Sequence, residues 1–161
     1  MVPKTPSFAK TRAFLLTQMR FGFLLSFFAL AITVHFSPVM ASDFLHLDVG
    51  NQTIHLEVAK TKAEHERGLM GRTDLAPNEG MIFLFKPAQS VSFWMKNTLI
   101  DLDIAFIDVN GIVFHTDTMR ANSLTLHHSY GIAAAVVELP RGSLKRFGIR
   151  PGIRFQKLEN L

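Results

Sequence analysis

Residues 102–117, LDIAFIDVNGIVFHTD, constrain the fold more than any other stretch of the chain. Two runs rich in apolar and β-branched residues flank Asn110-Gly111, a dipeptide favoured in type I′ turns, so a hairpin is expected. Strand alternation puts Asp103 on one face with Ala105 and Ile107, which are core positions. A carboxylate buried there without a partner is costly, or it shifts its pKa until it is neutral. The hairpin therefore predicts both a sheet and a polar group inside that sheet which something must satisfy.

The flanking sequence extends the same pattern. FLHLDVGNQTIHLEVA alternates on both sides of Gly50-Asn51 and reads as a second hairpin. In TKAEHERGLMGR, Thr61 and Glu64 form a capping box, and Gly68 or Gly71 ends a short helix. MIFLF and VSFWMK read as short strands separated by the turn KPAQS, while MRANSLTLHHSYG is irregular and long enough to line a site. IAAAVVEL is an apolar strand apart from Glu138. PRGSLKRFG suits a short helix that stops at Gly148, and IRFQKL suits a last strand. The expectation is an α+β domain with a mainly antiparallel, barrel-like sheet of about seven or eight short strands and two short helices.

The first 41 residues differ in kind. Lys4, Lys10, Arg12 and Arg20 precede the uncharged run Phe21–Val34, and Val39 and Ala41 stand where small residues precede a signal peptidase cut. This describes a secretory signal peptide followed by a single domain over residues 42–161. The run is 14 residues long, short of the roughly 20 that span a bilayer. An uncleaved anchor is the alternative, and it would be the protein's one link to a membrane. Either way the domain is expected in the periplasm or outside the cell.

The charge balance follows from this division. The chain has 17 basic and 13 acidic residues; four of the basic ones and none of the acidic ones lie in residues 1–41, leaving 13 of each. The high isoelectric point thus belongs to the export segment, and nucleic acid is not an expected partner. The absence of cysteine excludes disulfides, thiol redox chemistry and thiolate-held zinc. No phosphate loop, dinucleotide fingerprint or Gly-x-Ser-x-Gly motif is present, and no cofactor is expected.

The phrases RGLMGR, NEGMIFLF, FWMKNTLIDLDIAFID and VVELPRG running into FGIRPG resemble, in this order, domain of unknown function 192. The resemblance covers nearly all of residues 45–157. It implies a small exported or membrane-tethered domain of similar fold and brings no established activity. Arg67, Gly68, Leu69 and Met70 match the family's first signature. Trp94, Met95, Asn97, Thr98 and Asp103 match the central one, and Glu138 matches the late acidic position. After Met119 the family often has a proline-containing loop, where this chain has Arg120-Ala121-Asn122.

Arg67 is the expected partner of a buried carboxylate, because its guanidinium can hold one bidentately. The pair would be a structural bridge or part of a ligand pocket shared with Trp94, Asn97, Thr98 and Asp103. Asn97 and Thr98 can serve the turn or a ligand. Trp94 can be core or, exposed beside Lys96, a stacking platform. Three functions are open. The first is a binding or accessory module for a small ligand or an envelope protein. The second is an envelope-glycan hydrolase using Asp103 and Glu138 as acid and base. The third is a copper(I) carrier using Met95, Met119 and His115.

Overall fold

The structure is a computed structural model and describes residues 43–158. The expected signal peptide, residues 1–41, lies outside the described residues. The sheet grows from the expected hairpins. β1 (Phe44–Val49) and β2 (Gln52–Ala59) pair antiparallel through the Gly50-Asn51 turn. Thr61 then caps α1 (Lys62–Arg67), with Glu64 returning its carboxylate to the Thr61 amide, and Gly68 closes the helix at φ 45°. A loop leads to β3 (Glu79–Gln89), which lies parallel to β2. A crossover carrying a helix is what a parallel pair requires, and this segment supplies one.

β3 continues through the KPAQS segment, which reads as a turn from sequence, and VSFWMK contributes only the short β4 (Ser92–Phe93). The central hairpin is β5 (Leu102–Ile107) and β6 (Val113–Met119). Its turn is not type I′. Gly111 alone has positive φ, at 74°, and its N–H donates to the Asp108 carbonyl, while the Asp108 side chain accepts from the amides of Asn110 and Ile112. The aspartate holds the turn, so Asn110 need not take the left-handed conformation.

β7 (His127–His128) pairs with β4, and β8 (Ala133–Pro140) runs antiparallel between β3 and β5. α2 (Ser143–Arg146) follows. The expected last strand is instead a single bridge at Arg154 and a 3-10 turn, Gln156–Leu158.

The main sheet has the order β1-β2-β3-β8-β5-β6. It is mixed, since β2 and β3 pair parallel and its other pairs are antiparallel, so the expectation of a mainly antiparallel sheet is met in part; it is also open, with β1 and β6 as edges, and the barrel-like closure is corrected. Eight strands and two short α-helices are present among the described residues.

β5, between β8 and the edge strand β6, is buried along its whole length because both faces of the sheet are covered. One face packs Leu47, Leu56, Ala105, Val137 and Leu139 against α2 and the C-terminal residues Phe147, Ile149 and Phe155. The other packs Met81, Phe83, Ile104, Phe106 and Val136 with Leu69 and Met95 from the loops. Gly80 lets β3 and β8 approach closely: a β-carbon there would lie 2.1 Å from the Glu138 carbonyl oxygen.

Candidate functional site

β8 carries Glu138 onto the second face, opposite Met81 of β3 and Ile104 of β5. The residues around it are apolar, and its side chain has no hydrogen bond or ion pair among the described residues. It is 4 % exposed. Among the described residues no sealed side-chain nitrogen or oxygen lacks a partner, so the unpartnered carboxyl must keep contact with open space. That space is a cavity of about 250 Å³ that Glu138 lines. Burial alone pushes its carboxyl from 4.5 up to about 8, so it is protonated and neutral at pH 7.

The cavity exists because α1 covers the sheet without filling it. No residue of α1 is buried, and the helix forms a wall through His65, Glu66 and Arg67. His65 is held by its Nε2, 3.1 Å from the Ala59 carbonyl, and by ring contacts with Phe83 and Phe85. Gly68 then bends the chain against Phe83: a β-carbon would meet that ring at 3.4 Å. Strand alternation sends Phe83 and Phe85 to the same face of β3, and β4 adds Phe93, edge-on to Phe83 at 4.9 Å between centroids. Trp94 completes the aromatic wall. It is 46 % exposed, with the Lys96 ammonium 5.3 Å from its ring centroid. Thr98 is buried on the cavity wall, and its hydroxyl likewise has no hydrogen-bond partner among the described residues. An acid and a hydroxyl without protein partners thus face an aromatic enclosure.

The phrases that carry the family resemblance meet here. Arg67 to Met70, Trp94, Thr98 and Glu138 come from three distant segments and line one cavity. The family described as DUF192, uncharacterized ACR, matches residues 45–157. The chain belongs to the DUF192 family. Two crystal structures are similar to this DUF192 chain. One, from Sinorhizobium meliloti 1021 and designated a candidate transcription regulator, is 33% identical with a TM-score of 0.65, covering 71% of this chain and 92% of its own. The other, a protein of unknown function from Novosphingobium aromaticivorans DSM 12444, is 34% identical with a TM-score of 0.65, covering 73% of this chain and 88% of its own. No match was found among curated proteins.

Other expected site residues of this DUF192 domain lie elsewhere. Asp103 is opposite Leu139 where Glu138 is opposite Ile104, and that offset of one residue places the two carboxyls on opposite faces of the sheet. They cannot share a substrate as acid and base. Nor does Asp103 meet Arg67. Its Oδ2 accepts from the Gly142 amide at 2.8 Å and the Leu144 amide at 3.2 Å, and its Oδ1 accepts from the Thr118 hydroxyl at 3.1 Å. A depression beside it on that face is lined by Thr118, Arg141 and Lys145, but there the carboxylate is already occupied by protein donors. Asp103 is 5 % exposed and caps α2 from a neighbouring strand.

Arg67 is exposed at the rim and forms no ion pair among the described residues. Arg67→Met is therefore expected to change stability by no more than about 0.5 kcal/mol. Urea denaturation checks this, since a structural Arg67–carboxylate bridge would make the same variant strongly destabilising.

Asn97 does not line the cavity. It takes φ 59°, and its carbonyl receives the Gly71 amide at 2.8 Å, tying the loop after α1 to the turn before β5. Met95 and Met119 are fully buried among apolar residues, and His115 stacks on Phe106. His115 and Met119 are four residues apart on β6, roughly 13 Å along a strand, too far to bind one copper ion. The sequence reading missed the cavity's phenylalanines. Their alternation in MIFLF was the available signal, once Glu138 was known to share their face.

Proposed function

We propose that this domain is an exported small-ligand-binding module whose site is the cavity floored by Glu138. The observation that carries the reading is a nine-tenths buried carboxyl with no protein partner among the described residues, opening onto a cavity walled by Phe83, Phe85, Phe93 and Trp94. Folding this acid into apolar surroundings is costly, and a well-packed hydrophobic side chain would avoid the cost. A ligand that satisfies the acid accounts for both the acid and the space beside it. The aromatic rings would hold an apolar or planar body, while Glu138 and Thr98 fix one polar end. The basic, apolar and small-residue order of residues 1–41 supports export to the envelope side.

Native mass spectrometry on the protein recovered from the envelope fraction tests this directly. The expected result is a bound small mass that is lost in Glu138→Leu and weakened in Trp94→Ala. A bare mass, together with no movement of the Trp94 indole NMR signal across a fragment library, would refute the reading.

A further inference from the structure

The partner that Glu138 lacks is the kind of group the rest of the cavity is built to receive. Its wall carries the Glu138 carboxyl and the Thr98 hydroxyl, which have no protein donor among the described residues. Around them stand the rings of Phe83, Phe85, Phe93 and Trp94; aromatic faces attract cations, and the attraction gains strength as water is excluded. Among the described residues, no cation of the protein fills the role. Arg67 forms no ion pair there, and the Lys96 ammonium sits over Trp94.

We infer that the cavity takes a small organic ammonium ion: a primary amine carrying an aromatic or apolar body. This rests on the reading of the cavity as a ligand site. The ammonium would donate to the Glu138 carboxylate and the Thr98 hydroxyl, using two of its three donors. The body would pack against Phe83, Phe93 and Trp94. A cavity of about 250 Å³ accommodates such a molecule. A carboxylate ligand is disfavoured, because an anion gains nothing from the aromatic rings that attract a cation, and Glu66 and Arg67 both lie on the exposed rim, where solvent screens them.

Binding is coupled to a proton. Free Glu138 holds its proton up to a pH of about 8, and an ammonium ligand needs the carboxylate, so binding at pH 7 releases close to one proton. Affinity then rises about tenfold per pH unit between pH 6 and 7 and flattens above pH 8. The charged or titratable groups facing Glu138 across the cavity are His65, Glu66 and Arg67, all from α1; β3, β4 and the Thr98 turn contribute none.

The test is isothermal titration calorimetry on the full-length chain with phenethylamine, phenethyl alcohol and 3-phenylpropionate, in two buffers of different ionisation heat. Phenethylamine should bind with release of about one proton. The alcohol and the carboxylate should bind at least about thirtyfold more weakly, and Glu138→Gln should remove the preference. If the alcohol or the acid binds as tightly as the amine, or the amine binds without proton release, the ammonium inference fails while the cavity remains a ligand site. If none of the three binds and the fragment library also leaves Trp94 unmoved, both readings fail. The proton count is made on the unaltered chain, so it does not depend on the variant folding.

Discussion

Glu138→Gln stabilises the ligand-free domain by about 4 kcal/mol at pH 8 and leaves its stability nearly unchanged at pH 4. Burial raises the folded-state pKa of Glu138 from 4.5 to about 8. Below pH 4.5 the acid is protonated in both states and the group costs nothing further. Between the two values the unfolded chain ionises while the folded chain stays neutral, so the unfolded state binds fewer protons and stability falls as pH rises. The loss is complete above pH 8, and glutamine, which is neutral throughout, does not suffer it. Against a typical domain stability of about 5–15 kcal/mol the effect is large.

Carboxylates held below their usual range lie outside this window. Glu64, through the Lys60 and Thr61 amides, and Asp101, through the Ala121 amide and Arg141, affect only the acid limb. Urea denaturation of both proteins across pH 4–8 measures the difference, and parallel stability curves would show that Glu138 is satisfied within the fold.

Asp103 gives the second large effect, of opposite sign. Asp103→Leu removes the acceptor for the Gly142 and Leu144 amides and for the Thr118 hydroxyl. An unsatisfied buried donor costs roughly 1–3 kcal/mol; Leu144 is buried, while Gly142 and Thr118 are exposed and can turn to water, so a loss of about 2–3 kcal/mol is expected. Asp103→Asn should cost only about 1 kcal/mol. Its amide oxygen can still receive both backbone amides, and its NH₂ can donate to the Thr118 hydroxyl, which accepts as readily as it donates. Thermal and urea unfolding separate the two variants, and equal losses would contradict the capping role. Neither variant should alter ligand binding in the Glu138 cavity, which lies on the other face of the sheet.

Local features were legible in the sequence. The β1-β2 hairpin, the Thr61–Glu64 capping box and the burial of Asp103 all follow from side chains a few residues apart. The partner of Asp103 was not legible, because Gly142 and Leu144 lie about forty positions away and are brought close only by the β5–β8 pairing. Arg67 was a reasonable electrostatic guess, but α1 stands as a wall and leaves it at the rim. The relation between Asp103 and Glu138 turned on a single residue of register, which neither strand's own pattern specifies. The open, mixed sheet likewise depended on recognising the α1 segment as a crossover and not as a decoration between antiparallel strands. The cavity was half visible: the alternating phenylalanines of β3 could be read, but the arrival of Phe93, Trp94 and Thr98 from the next segment could not.

The central claim is that Glu138 is a desolvated acid kept without a protein partner for a ligand to use. Carbon-13 NMR titration of its side-chain carboxyl in the ligand-free protein tests this most directly. A midpoint near 8 that falls when phenethylamine saturates the cavity is the predicted result. A midpoint near 4.5, unmoved by the amine, would show an acid already solvated or paired, and would contradict the account.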